Sequence, residues 1–189
     1  MRRATDILRI TSLRFYRTTA HAPEPALRVH DDIEPVIVTR WEDLPEHLQT
    51  SPHAAVYAER LSSRHVAFLL LENGTVMHAS WIARHALGID ELGCRVALAD
   101  DAVCVYDVVT ASAWRGRGLY PAVLRYMRRH AGRLFGARVV WIYCDGSNAA
   151  SIRGIEKAEY TYCGTRYAVV IGGRCYLRLG YIKGGLPCA

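Results

Sequence analysis

The stretch from Ala102 to Phe135 constrains the fold of this chain more than any other. Ala102 to Thr110 is rich in valine and aromatic residues and reads as a strand. Leu119 to Phe135 reads as a helix. Val123, Leu124, Met127 and Leu134 fall on one side, and Arg125, Arg128, Arg129 and Arg133 take the rest. Pro121 suits the first turn, where no amide donor is missed, and Gly136 closes the helix. Between strand and helix lies Trp114-Arg115-Gly116-Arg117-Gly118. Glycines there let backbone amides approach a ligand closely. The helix N-terminus adds free N–H groups and a partial positive charge, and Arg115 and Arg117 add full charges. This is the chemistry a pyrophosphate needs. The spacing is neither the Walker pattern G-x-x-x-x-G-K-[ST] nor a dinucleotide fingerprint.

The surrounding pattern is a mixed α/β sheet. Val36 to Val38 reads as a short strand, and 41–48 and 54–61 as helical. Val66 to Leu71 and Thr75 to Ile82 flank Asn73-Gly74, a strong hairpin signal. A looser stretch runs to Asp101. After the long helix, Ala137 to Cys144 has the continuous apolar core of a buried parallel strand. Asn148 can cap a helix over Ala149 to Ala158, and two final strands span Tyr160 to Ile171 and Arg174 to Leu179. The order of strand, helices, hairpin, strand, long helix, strand, short helix and hairpin defines the class.

One globular domain over 29–189 is expected, preceded by a short N-terminal extension over 1–28. Arg2, Arg3, Arg9, Arg14 and Arg17 alternate with Ile7, Leu8, Ile10, Leu13, Phe15 and Tyr16, which reads as a basic amphipathic helix ending before Pro23 and Pro25. Its uses stay open between a helix packed on the domain, a membrane-surface contact and a targeting peptide. About half the residues are apolar and 22% are charged, so the chain can bury a core and is not broadly disordered. No apolar run is long enough to span a membrane, and none follows the basic start as a signal peptide would have it. The six cysteines form no C-x-x-C pair and match no zinc module, which points to a reduced, cytoplasmic setting without a metal. The net charge of +6 is spread along the chain, which suits an anionic ligand better than nucleic acid.

The loop resembles that of the GNAT acetyltransferase superfamily, whose coenzyme A motif is [Q/R]-x-x-G-x-[G/A]. Arg115 and Gly118 match, and Tyr120 stands in the last position. Downstream, Asn148, Ser151, Lys157 and Tyr160 match N-x-x-[A/S] … K-x-G-[F/Y], with Glu159 in place of the glycine. The run Arg-Gly-Arg-Gly-Leu-Tyr-Pro looks like a branch found among bacterial proteins of surface-polysaccharide biosynthesis. The resemblance covers 66–181. It implies a GNAT-like acyl-CoA N-acyltransferase fold and acetyl-CoA or another acyl-CoA as co-substrate. It places the cofactor on Val108, Val109, Thr110, Arg115, Gly116, Arg117, Gly118, Leu119, Tyr120, Asn148 and Ser151, with the amides of the strand polarising the thioester.

The chemistry implied is attack of a deprotonated amine on the thioester. The superfamily's usual acid, a tyrosine seven residues after the asparagine, is Ile155 here. Tyr120, Tyr143, Tyr162 or water would have to replace it. Asp107 is the carboxylate in the middle of the strand before the loop, and Tyr106 is its neighbour on the opposite face unless a bulge intervenes. His78 lies in the hairpin strand that borders the acceptor cleft in this superfamily. Asp107, His78 and Tyr106 are the catalytic candidates, each with a purely structural role as the alternative. The expected function is transfer of an acetyl or other acyl group to a primary amine of a small molecule, an amino sugar or amino acid. A non-catalytic domain that keeps coenzyme A as a ligand is the other reading. A homodimer and a membrane-surface contact through 1–28 stay open as partners, as does an acidic acyl-carrier protein as donor.

Overall fold

The Asn73-Gly74 hairpin forms as expected and sets the frame of a computed structural model that describes residues 8–20, 34–171 and 174–186. Strand β1 is Arg9–Thr19, β2 is Glu34–Val38, β3 is Val66–Glu72 and β4 is Thr75–Arg84. Strands β5 (Ala86–Ile89) and β6 (Cys94–Ala97) make a separate ribbon, and β7 is Ala102–Thr110. β8 is Val139–Asp145, β9 is Thr161–Ile171 and β10 is Arg174–Leu179. The helices are α1 (Glu46–Gln49), α2 (Ala54–Ser62), α3 (Leu119–Phe135) and α4 (Ala149–Lys157). The eight-stranded sheet has the order β10-β9-β1-β8-β7-β4-β3-β2. β7 and β8 run parallel, joined by α3 as a crossover, and the other pairings are antiparallel.

Two apolar layers sandwich the sheet. On one face α3 and α4 cover Phe68, Leu70, Val103, Val105, Val140 and Ile142 with Val123, Leu124, Met127 and Ile155. On the other, α2 and the β5–β6 ribbon close over Leu69, Trp81, Cys104, Trp141 and Phe15. The helical stripe read for α3 holds: Val123, Leu124 and Met127 are fully buried, and Gly136 ends the helix in the left-handed conformation. Leu134, assigned to that stripe, lies exposed.

The N-terminal segment overturns its expectation. Residues 9–19 are a strand, not a helix, and this strand lies inside the sheet, antiparallel to both β8 and β9. Leu13 and Phe15 are buried on one face while Ile10, Ser12 and Arg14 alternate to the other. A period of two is hidden in the sequence because Arg9, Arg14 and Arg17 stand five and three residues apart, on both faces, and the register shift between Phe15 and Tyr16 breaks the alternation. Arg17 spends its charge over the Trp141 ring, 5.7 Å away. The part of the proposed helix that precedes Leu8 or follows Ala20 lies outside the described residues. The loose stretch before Asp101 is likewise partly ordered: Leu87, Ile89 and Val96 of the ribbon are buried against the α2 face.

Candidate active site

Strands β7 and β8 start as neighbours and then part. Their ladder runs from Ala102–Val139 to Val105–Ile142 and stops there. Beyond it β7 stays with β4 as far as Thr110, and β8 stays with β1 as far as Asp145. The carboxyl ends of two parallel strands therefore open a wedge, the place where α/β sheets bind ligands. A cavity of about 590 Å³ occupies the helical side of this wedge.

Val108, Val109, Thr110, Arg115, Gly116, Gly118, Leu119, Tyr120, Asn148 and Ser151 all line it, so ten of the eleven cofactor positions read from sequence meet in one place. Gly116 and Gly118 have φ of 78° and 76°, a region L-residues rarely enter. A Cβ on either would meet nothing within 4 Å, so their α-carbons face open space. Gly118 is the N-cap of α3 and supplies no side-chain acceptor, so the first amides of the helix are left for a ligand. Arg115 is steadied by its Nε, which donates to the Thr110 carbonyl at 3.0 Å. Arg117 does not line the cavity: its guanidinium lies 4.5 Å from the Trp114 ring centre and braces the loop from outside. Arg153 and Lys157 of α4 bring two more cations to the wall, and the lining includes no carboxylate. Arg153 went unread because nothing in its neighbourhood of sequence marks it; the angle between α4 and α3 places it.

Asn148 caps α4 as read, its Oδ1 accepting from the Ser151 amide at 3.0 Å. Tyr120 is the departure from the superfamily motif, and Gly154 accommodates it. A Cβ on Gly154 would overlap the Tyr120 ring, so the missing side chain on α4 makes room for the extra one on α3. Burial pushes the Tyr120 phenol well above its usual range, against a weaker pull from a hydrogen bond with Ser151. Glu159, in the place of the motif's glycine, sits at φ 64°, which explains why a glycine suits that position. Ile155 is fully buried under α3, and no acid stands at its position.

The three catalytic candidates separate. Asp107 has φ 47° at an irregularity where the β4 register shifts between Ala79 and Trp81. This bulge turns Asp107 to the same side as Tyr106, contrary to simple alternation. Arg60 of α2 meets both: its Nη1 pairs with Asp107 Oδ2 at 2.5 Å, and its guanidinium lies 5.1 Å from the Tyr106 ring and 5.0 Å from Trp81. The Asp107 side chain keeps 46% of its surface exposed. Tyr106, by contrast, is buried, and its hydroxyl is 2.6 Å from His65 Nδ1. Burial raises the Tyr106 phenol and lowers the His65 imidazole, so the phenol donates to a neutral ring. His78 has no exposed surface. Its Nδ1 is 2.9 Å from the Thr110 hydroxyl, its Nε2 has no partner, and burial lowers it to about 4. It is a neutral ring beneath the cavity wall and touches the cavity only through Thr110.

Tyr143 is partly buried, with its phenol raised by desolvation. Cys104, Cys144, Cys163 and Cys175 stand outside any disulfide. Among the described residues no group of three His, Cys, Asp or Glu is placed to hold a metal, and no helix is long and apolar enough to cross a membrane.

This architecture is that of the GNAT acetyltransferases. An acetyltransferase of that family from Colwellia psychrerythraea superposes with a TM-score of 0.56 at 15% identity, covering 86% of this chain and 55% of its own. A GCN5-related N-acetyltransferase from Sphaerobacter thermophilus gives 0.56 at 18%, covering 85% and 50%, and one from Kribbella flavida gives 0.52 at 16%, covering 94% and 60%. The chain thus spans about half to three-fifths of these neighbours, and at such identities the likeness is one of fold. No family model and no curated protein matches the sequence.

Proposed function

We propose that this protein transfers an acyl group from acyl-coenzyme A to the primary amine of a small molecule. The observation that carries the reading is the cavity at the parting of β7 and β8, walled by Gly116, Gly118, Arg115, Arg153 and Lys157 and free of carboxylates in its lining. The glycines and the α3 N-terminus receive the pyrophosphate, and the cations neutralise its charge. Val108 to Thr110 lie along the wedge, where their backbone groups face a pantetheine arm and its thioester. The co-substrate supplies an activated carbonyl, and this chain's own residues orient it and prepare the amine.

Asp107 is the group that prepares the amine. It is the one half-exposed titratable candidate at the wedge, and the bulge points it to the face opposite the cavity, where an acceptor approaches. Its carboxylate holds the incoming ammonium and draws off a proton directly or through water. Arg60 holds it in place through the ion pair. Tyr106, tied to His65, and His78, tied to Thr110, are positioning residues. With Ile155 in the acid's place, the departing thiolate takes its proton from water, which its pKa of about 8.5 allows. An amino sugar is the acceptor class suggested by the Arg-Gly-Arg-Gly-Leu-Tyr-Pro run.

The Arg60 ion pair also favours the second reading, a coenzyme A-binding domain in which Asp107 is purely structural. Asp107→Asn separates the two. Calorimetry with coenzyme A and thiol release from acetyl-CoA with a panel of amino sugars and amino acids would be measured side by side. The expected outcome is unchanged coenzyme A affinity and a kcat/KM lower by about 100-fold, the scale of a general base. Wild-type binding of coenzyme A without turnover on any amine would establish the binding domain instead.

A further inference from the structure

We infer that the face at the β10 end of the sheet, which no described residue covers, is the docking surface for a second copy of this chain. The register sets two rows there. Ile10, Val169 and Leu177 stand side by side across β1, β9 and β10, and Ser12, Tyr167 and Leu179 form the next row. Ala168 and Val170, on the alternate positions of β9, are buried in the layer beneath α2. The rows therefore point to the opposite side, the side of α3 and α4. The apolar layer beneath those helices draws on β1, β3, β4, β7 and β8 but takes no residue from β9 or β10.

The result is a shelf of three strands beside a helical layer, apolar and open. Leu8 is 59% exposed, Ile10 73%, Tyr167 52%, Ile171 38%, Leu177 48% and Leu179 57%. Together they present roughly 600 Å², at the top of the ~300–600 Å² of the largest patch on an ordinary monomer and three-quarters of the ~800 Å² that one partner gives a stable interface. The outer edge of β10 also has no neighbouring strand in the described sheet.

A copy of the same shelf fits this vacancy. Two sheets pack face to face about 10 Å apart, and a helix layer is about 10–12 Å thick. A partner's three strands would thus continue the layer that α3 and α4 begin, and a two-fold axis satisfies both shelves at once. The patch itself carries little charge. Register places Arg14 beside Thr165 at one end. A lipid surface calls for a cluster of ~4–8 cations around such a patch, so a protein surface of the same apolar kind is the occupant.

Sedimentation equilibrium of the full chain between about 1 and 100 µM tests this, a range that spans ordinary dimer affinities. The expected result is a mass twice the 21.2 kDa of one chain. Ile10→Asp and Leu179→Asp, both at exposed positions, should each return the monomer, with at least a tenfold rise in dissociation constant and unaltered coenzyme A binding. Should either variant fail to fold, Leu179→Thr and concentration-dependent hydrogen exchange of wild-type β10 amides give the same answer. A wild type that stays monomeric to 100 µM overturns the assignment. So does a dimer that survives both substitutions, and so does a monomer that co-sediments with phosphatidylcholine–phosphatidylglycerol vesicles.

Discussion

Arg115, Gly116, Gly118, Asn148 and Ser151 reach the cavity from the two local segments that follow β7 and β8, whereas Arg60, His65 and His78 meet β7 itself from elements 47, 41 and 32 residues before it. The local group binds through backbone conformation and charge, so each member can be changed without disturbing the sheet. The distant group is embedded in packing: Arg60 stacks on Trp81, and His65 and His78 are held by desolvated hydrogen bonds. On the proposed function, recognition of the cofactor is thereby separable from folding, and the acceptor side is not. β1 carries the contrast furthest. It comes from the start of the chain, yet it forms the interior seam between β8 and β9.

The largest effect tests that seam. Removing residues 1–20 deletes a strand paired on both edges, together with buried Leu13, Phe15 and Tyr16. Losing three such side chains costs well over the ~5–15 kcal/mol of a typical domain once the ladder bonds are counted, so the truncated chain should show no cooperative melt by circular dichroism. A truncated chain that melts cooperatively and binds coenzyme A would make β1 as separable as the loop.

Next comes the loop itself. Gly118→Val forces a β-branched residue into the left-handed region and puts its side chain in the open space of the cavity. Coenzyme A affinity should fall at least 100-fold, ~2.7 kcal/mol, while the strain lowers stability by only about 1–2 kcal/mol. Equal affinity in the variant and wild type would remove the pyrophosphate from this loop.

His78 offers a smaller effect with a definite sign. Its folded value is lowered to about 4, below the ~6.5 of an unfolded histidine. Between those values the unfolded chain binds the proton and the folded one does not. Its contribution is therefore intact above about pH 6.5 and is lost as pH falls toward 4, about 2 kcal/mol by pH 5. His65 and His130 are lowered by burial too and act in the same direction. Urea midpoints at pH 7.5 and 5 should converge in His78→Gln by that share; an identical pH dependence in the variant would mean that the ring is solvated.

The smallest effect concerns Glu159. Its left-handed φ costs about 1 kcal/mol, offset by an ion pair with Arg128 at 3.6 Å. Glu159→Gly removes both, so stability should change by less than about 1 kcal/mol in a thermal melt. A larger loss would place Glu159 in the packing around α3.

The sequence by itself determined what depends on neighbours along the chain. The Asn73-Gly74 hairpin, the stripe of α3, the Asn148 cap and the Arg/Gly loop before α3 were legible because turn conformation, helical period and capping act over a few residues, while the other cavity residues were placed by the resemblance of the motifs. It left β1 misread, because its arginines at 9, 14 and 17 follow no period of two and the alternation breaks between Phe15 and Tyr16, so only the partner strands define the strand. Only the tertiary structure decided that Asp107 and Tyr106 share a side, since that rests on a bulge set by β4 and an arginine from α2. The same holds for Tyr120 and Gly154, whose exchange of bulk exists only where two helices cross. Contacts of this kind are settled by packing between elements far apart in sequence, and local pattern carries no record of them.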